Sequence, residues 1–464
     1  MNNDSLTAFS EGKRKIDLPF EFDVSGAGYL CTKVLRLLPG RRLVLLAHNS
    51  EKQPCVIKLF VKNRKGHRAF KRELVGHQLA CKAGIRVPQI VQQNEKSSDY
   101  YIVVYEFIEQ SETISANDIS QQVGDVFEFI ANMHQQGIYQ DDIHFDNLLF
   151  TNGELVLIDL GSVKTDSPGQ PLKKQTSITN LAKFMAQLTV KQRQSAISIV
   201  DRYYQKRQWH FDAAEQATLL SAIELVWQKR KKEYLNKNFR DCTMTYFYHD
   251  SHWQYAFRRE FWEKWQIADI ADIEQLFDKA KLLKAGNTAT VIQTELAGRQ
   301  VVIKRYNIKS FPHALSRMFR KSRAAKSWQN ANLLEFIGIP TVKPLGFIEK
   351  RWGWFRGTAY FLAEYQASEE LLDVYQRRQP EPDESSQIQS IFRLLQACKI
   401  GHGDMKAQNL LLSQDGEVLL IDLDSLVEYC SESLGEKAHA QDKKRFLRNW
   451  ADGPLYQYFS TLLK

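Results

Sequence analysis

Residues 401–424 read Gly-His-Gly-Asp-Met-Lys-Ala-Gln-Asn-Leu-Leu-Leu-Ser-Gln-Asp-Gly-Glu-Val-Leu-Leu-Ile-Asp-Leu-Asp. Two apolar runs, Leu410 to Leu412 and Val418 to Ile421, flank Asp415-Gly416, a dipeptide suited to the left-handed residues of a tight hairpin turn. Pairing those runs as strands brings Asp404 and Asn409, just before the first, to one edge with Asp422, at the end of the second. Phosphoryl transfer needs such a set: one carboxylate facing the attacking hydroxyl, and an amide plus a second carboxylate holding magnesium on the nucleotide phosphates. The spacing predicts a kinase-like site.

The same stretch occurs earlier, at 139–162, with Asn152-Gly153 at the turn and Asp142, Asn147 and Asp159 in the places of Asp404, Asn409 and Asp422. The Asp-to-Asn interval is five in both copies, and the Asn-to-Asp interval is twelve in the first and thirteen in the second. One copy is compatible with ordinary turn chemistry. Two copies in the same hydrophobic setting point to a repeated catalytic unit.

Each copy is preceded by the pattern of a small sheet. Val34 to Leu38, Leu43 to Ala47 and Val56 to Phe60 read as three antiparallel strands, with Lys58 in the third, where a kinase places the lysine that contacts nucleotide phosphates. Glu73, on the charged helix that follows, is its expected carboxylate partner. The turn Pro39-Gly40-Arg41-Arg42 stands where a glycine-rich phosphate cover belongs, with a single glycine. Glu106 to Ile108 reads as the hinge that meets adenine. Val123, Val126, Phe127 and Ile130 make an amphipathic helix ending at Gly137, and 176–235 is helical in pattern.

In the second half, Val301-Val302-Ile303-Lys304 repeats the strand lysine, and the polar turn Ala285 to Val291, containing Gly286, is the better phosphate cradle. The helical stretch Ser322 to Ala331 precedes Gly338-Ile339-Pro340-Thr341. Counting back eleven residues from Gly84 gives Glu73, and from Gly338 gives Ser327, so the second copy lacks the carboxylate and its lysine must be held otherwise. The aromatic segment Tyr246 to Trp265 is expected to pack an interface where the halves join. The fold class expected is α+β: two tandem protein-kinase-like domains, each a small antiparallel β-sheet N-lobe and a mainly helical C-lobe. The boundaries expected are 1–28 for an irregular lead-in, 29–240 and 241–464.

The 464 residues suit two domains, and 43% hydrophobic with 25% charged residues is ordinary for a globular protein. Six cysteines without metal spacing imply free thiols in a reducing compartment. With no apolar leader and no span-length apolar run, a cytoplasmic location is expected. The net charge is +9, with basic clusters at Lys62 to Arg72, Lys229 to Arg240 and Arg317 to Lys326. They suit a polyanion or an anionic membrane surface, or a solvated helix face beside a nucleotide site. Nucleic acid is not expected, because no recognised binding motif accompanies the charge.

At the paired Asp/Asn/Asp stretches and the helix before Gly-Ile-Pro-Thr, the chain resembles the lipopolysaccharide core kinases, the Kdo and heptose kinase family with a eukaryotic-like kinase fold. The resemblance covers most of both halves. It implies ATP, magnesium and phosphorylation of a sugar hydroxyl on inner-core lipopolysaccharide, an anionic saccharide acceptor met at the inner face of the inner membrane. It gives Asp142 and Asp404 the catalytic role, Lys58 and Lys304 the phosphate contacts, and Asn147, Asp159, Asn409 and Asp422 the metal. Two departures bear on activity: Gln140 replaces the histidine found at His402, and Ser327 replaces the helix glutamate. They suit a division in which one half catalyses and the other positions substrate. A Ser/Thr protein kinase is the main rival, and Lys406 fits it, but no Ala-Pro-Glu segment follows Asp159 or Asp422. A small-molecule phosphotransferase of the aminoglycoside type shares the core residues. A pseudokinase scaffold is the third alternative, and it would need none of the metal ligands that both halves keep.

Overall fold

The computed structural model describes residues 4–12, 16–113, 122–167, 169–265, 270–286, 288–307, 321–353, 355–451 and 453–464. Asn287 of the expected phosphate cradle and residues 317–320 of the third basic cluster lie outside them. The chain divides into two compact units, Met1–Trp227 and Gln228–Lys464, with the division inside the helix Ala213–Lys237.

The first unit opens with a sheet of β1 (Phe20–Val24), β2 (Ala27–Leu38), β3 (Arg42–His48), β4 (Pro54–Val61), β5 (Ile90–Asn94) and β6 (Tyr100–Glu106), in the antiparallel order β1-β2-β3-β4-β6-β5. Side chains alternate across such a sheet. Leu43, Leu45, Ile57 and Leu59 point into one core with Leu6 and Phe9, while Phe60, Val103 and Tyr105 pack with Phe70 in another. Phe70 belongs to the helix Arg64–Lys82, whose Asn63 cap accepts from the backbone of Lys65 and Gly66. The expected irregular lead-in is therefore corrected. Residues Asp4–Ser10 form a helix, β1 is a sheet strand, and both supply fully buried side chains.

Below the sheet come the helix Gln122–Gln135, the hairpin of β7 (Leu148–Thr151) and β8 (Glu154–Leu157), and helices beginning at Lys174, Val190, Asp201 and Ala213. Gly137 ends the turn after the first of these at φ +78, and a Cβ there would lie 2.3 Å from the Gln170 carbonyl.

The second unit repeats the plan. Strands β9 (Thr245–His249), β10 (Trp253–Arg258), β11 (Lys281–Ala285), β12 (Ala289–Leu296), β13 (Arg299–Tyr306), β14 (Pro344–Trp352) and β15 (Phe355–Glu364) form one antiparallel sheet in the order β9-β10-β14-β15-β13-β12-β11. The aromatic segment expected at an interface is instead β9, β10 and the turn of helix after them. Tyr246 stacks on Trp262 at 4.2 Å between centroids, and Phe257, Phe261 and Trp265 lie in this unit's own core. The helix Arg323–Ile337 packs beneath, followed by the helix Pro382–Ala397, the hairpin of β16 (Leu410–Ser413) and β17 (Val418–Leu420), and two closing helices. All six cysteines are free thiols.

Candidate active sites

In the first unit, β7–β8 gathers the predicted set. Its two-residue turn uses Asn152 at φ 51 and Gly153 at φ 78, with Thr151 paired to Glu154. Asn147 donates from Nδ2 to the main-chain oxygen of Asp142 at 2.8 Å, which leaves Oδ1 as the atom open to a cation. Asp159 follows β8 in left-handed backbone, φ 56 and ψ 64, an uncommon state for a side-chain-bearing residue. Its carboxylate lies 3.8 Å from Lys58 Nζ, and Lys58 is also 2.5 Å from Glu73 Oε1, as the sequence predicts. Tyr105 donates its hydroxyl to the same Glu73 oxygen at 3.0 Å. Burial, reinforced by Glu73, raises the Tyr105 phenol above its ordinary value, so it remains a donor.

Arg42, noted in the sequence only as part of the Pro39–Arg42 turn, and Arg36, not singled out there, also reach this site. Arg42 grips Asp159 with both terminal nitrogens, at 2.9 and 3.2 Å, and Arg36 adds a third contact at 3.1 Å. Burial opposes the Asp159 charge, but Lys58, Arg42 and Arg36 outweigh it and hold the carboxyl below its ordinary value. Above and around lies a cleft of about 640 Å³. Val44 and Val56 face Leu149 and Ile158 across it, and the expected hinge residues Glu106 to Ile108 line it, an apolar slot with a polar edge. Asp142 is exposed, with no ion-pair partner among the described residues, whereas the neighbouring Asp141 is held by Lys164 and Lys183.

In the second unit the turn is longer than expected. Leu412 pairs with Val418, and the Ser413 N–H donates to Glu417, so Gln414, Asp415 and Gly416 form a three-residue loop. That extra residue accounts for the interval of thirteen rather than twelve. Asn409 donates to the Asp404 main-chain oxygen at 2.7 Å, and Asp422 repeats the left-handed backbone at φ 59 and ψ 56. Lys304 contacts Asp422 directly at 2.5 Å. Burial opposes the Asp422 charge, yet Lys304, the Asp424 neighbour and Arg323 lower the carboxyl to about 2. Lys406 lies 2.8 Å from Asp404. Gly286 donates its N–H to Ala289 across the β11–β12 turn, and a Cβ on it would stand 3.1 Å from that carbonyl.

Both departures in the sequence are resolved by local exchange. Gln140 donates from Nε2 to the carbonyls of Ile158 and Asp159, and His402 uses Nε2 on the carbonyl of Ile421, the matching residue before Asp422. Ser327 instead bonds Tyr306, at 2.8 Å between oxygens, and a further carboxylate, Asp424, stands two residues past Asp422, paired with Arg323. In the first unit that position is Gly161, whose added Cβ would stand 3.0 Å from Glu73 Oε2. The second carboxylate thus comes from the helix in the first unit, where it holds Lys58, and from the short turn after Asp422 in the second, where it holds Arg323. Burial raises the Asp424 carboxyl, and Asp422 beside it adds to this against Arg323. Each of these loops is also pinned from the following helix: Asn180 donates to the Gln140 main-chain oxygen, and Asp442 accepts the N–H groups of His402 and Gly403. Neither Asn180 nor Asp442 carries a motif signal.

Among the described residues no group of three His, Cys, Asp or Glu side chains could by itself hold a metal. An Asn–Asp pair fits magnesium only if phosphate oxygens fill the remaining positions, which is the arrangement phosphoryl transfer uses. Likewise, no described helix is long and apolar enough to cross a membrane.

Residues 271–455 match the sequence model of the lipopolysaccharide kinase (Kdo/WaaP) family. The match falls within the second unit and identifies a phosphotransferase of the kinase kind. Among solved structures, the chain is similar to amicoumacin kinase hAmiN in complex with AMP-PNP, Ca2+ and Ami. Identity is 10%, coverage is 42% of this chain and 88% of that chain, and the TM-score is 0.30.

Proposed function

We propose that this protein is an ATP- and magnesium-dependent kinase built as two tandem protein-kinase-like domains, which phosphorylates a sugar hydroxyl of inner-core lipopolysaccharide, on heptose or Kdo. The family match over 271–455 supports the acceptor class. The observation that carries the reading is the closure of each site: the strand lysine reaches the hairpin aspartate in both units, at 3.8 Å for Lys58–Asp159 and 2.5 Å for Lys304–Asp422.

A sugar hydroxyl is a poor nucleophile. Asp404 orients it and accepts its proton late, while Lys406 beside it neutralises the approaching phosphoryl oxygens. Asn409 and Asp422 would hold magnesium, which supplies charge neutralisation on the transferring phosphate, and Lys304 would turn from Asp422 to the phosphates. In the first unit Asp142, Asn147, Asp159 and Lys58, with Glu73 behind the lysine, take the same parts, and His144 stands where Lys406 does. The basic clusters suit an acceptor carrying phosphates and acidic sugars, met by peripheral contact at the membrane's inner face.

The test is incubation of ATP with purified core oligosaccharide and wild type, Asp142→Asn, Asp404→Asn and the double variant. Asp404→Asn should lower kcat by roughly 10²–10⁴-fold, the usual worth of such a group, and more than Asp142→Asn, because the family match and Lys406 both belong to its unit. Undiminished transfer by the double variant would remove the catalytic assignment. Labelling of protein substrates alone would favour a protein kinase.

A further inference from the structure

We propose that Arg42 and Arg36 form the phosphate cover of the first unit's nucleotide site, their guanidinium groups doing what backbone N–H groups do in a glycine-rich turn. The proposal rests on the reading of that cleft as a nucleotide site and adds to it the residues that take the phosphates.

Strand register puts them there. Arg36 pairs with Val44 and Val44 with Lys58, so the three share one sheet face, and Arg42, two residues before Val44, shares it too. All four line the cleft. The arginines flank the Pro39-Gly40 turn, which has only Gly40 at positive φ, +64, to bring backbone close to a ligand. Arg42 is largely buried, its side chain 16% exposed, and its Nε has no hydrogen-bond partner among the described residues.

The contacts of these arginines give the ligand. Three cations, Arg36, Arg42 and Lys58, converge on two carboxylates, Asp159 and Glu73, in a cleft that Glu106 and Asp146 also line. Asp159 alone takes both guanidinium groups. When a divalent cation takes the Asp159 carboxylate, both guanidinium groups lose their partner, and polyphosphate oxygens are the acceptors whose geometry matches their fork. The second unit shows the alternative. There Lys284, Val291 and Lys304 form the corresponding row, and Ala289 stands where Arg42 does, beside Gly286. Small residues replace the guanidinium at that turn.

The experiment reads nucleotide binding by calorimetry in a chain carrying Lys304→Ala and Asp422→Asn, so that the first unit supplies the signal. The ligands are ATP with magnesium, and adenosine, which has the base and ribose but no phosphate. Arg42→Gln should weaken ATP by about tenfold or more, as expected for lost charge-assisted contacts, and leave adenosine within about twofold. Arg42→Lys should recover part of the loss, keeping charge without the fork. Arg36→Gln, at a half-exposed position, should give a smaller loss in the same direction and serves if Arg42→Gln fails to fold. Equal weakening of both ligands, or unchanged ATP affinity, would overturn the proposal while leaving the nucleotide site standing. If the parent chain binds neither ligand, both readings fall.

Discussion

Gln140 and His402 differ in size and aromaticity, yet each places an Nε2 donor on a main-chain carbonyl just ahead of the left-handed aspartate. The site selects a donor at a fixed point, and two residue types satisfy it. Gln140 is fully buried and its Oε1 is without a partner among the described residues, a cost that His402, whose Nδ1 accepts the Asp404 N–H, does not carry. Gln140→His should therefore change stability by less than about 1 kcal/mol in urea unfolding, while Gln140→Ala, which strands the Ile158 and Asp159 carbonyls, should lose about 1–3 kcal/mol. A loss from Gln140→His as large as that from Gln140→Ala would show that the residue acts by shape and not by donation.

At the scale of elements, the helix Arg64–Lys82 reaches the site because Gly76 lets it touch the chain just past Asp159. A Cβ at Gly76 would stand 1.9 Å from the Leu160 carbonyl and 3.3 Å from the Val163 side chain. Glu73 lies one turn away on that helix, so any displacement is passed to the Lys58–Glu73 pair. Gly76→Val should cost about 1–3 kcal/mol by overpacking, and nucleotide affinity should fall with it. Lost stability with unchanged affinity, measured by thermal unfolding and ATP titration, would separate the helix from the site. Much of this arrangement is legible in sequence, since the hairpins, the strand lysines and the count from Gly84 to Glu73 depend on local spacing. Other parts are not. The pairing of Arg36 and Arg42 with Asp159 spans more than a hundred residues, and a strand-end arginine reads as a solvated charge. Phe20–Val24 is too short to stand out from a lead-in, and the aromatic density of 246–265 hides the period-two alternation of β9 and β10.

Over a whole unit, the cleft is tied to its helical base by a chain of hydrogen bonds. Tyr203 bonds His134 Nδ1 at 2.8 Å, His134 Nε2 meets Asn180 Oδ1 at 3.0 Å, and Asn180 holds the main chain of Gln140, whose side chain holds the Asp159 carbonyl. Asn180 Oδ1 requires a proton on Nε2, and in the neutral imidazole that burial favours, Nδ1 accepts from the Tyr203 hydroxyl. Burial lowers His134 to about 3, with Arg207 helping and Asn180 opposing. Unfolding releases an imidazole that titrates near 6.5, so below that pH the unfolded chain gains a proton that the folded one does not. Stability must then fall as pH drops from about 6.5 towards 3, by about 1.4 kcal/mol per unit, or about 2 kcal/mol by pH 5. Asp159 and Asp422 act in a lower window. Their depressed values contribute stability that is present above the ordinary carboxylate range and is lost only below about 3.8. Between pH 7 and 5 the histidine signal is thus separable from the carboxylates, and His439, which burial also lowers, lies in the second unit, whereas the helices Gln122–Gln135 and Lys174–Met185 belong to the first. Hydrogen exchange of the helices Gln122–Gln135 and Lys174–Met185, corrected for intrinsic rate, should lose about thirtyfold protection over that interval, and His134→Gln should flatten the loss. Protection that falls equally in wild type and variant would place the acid sensitivity elsewhere and leave the network without a titrating link.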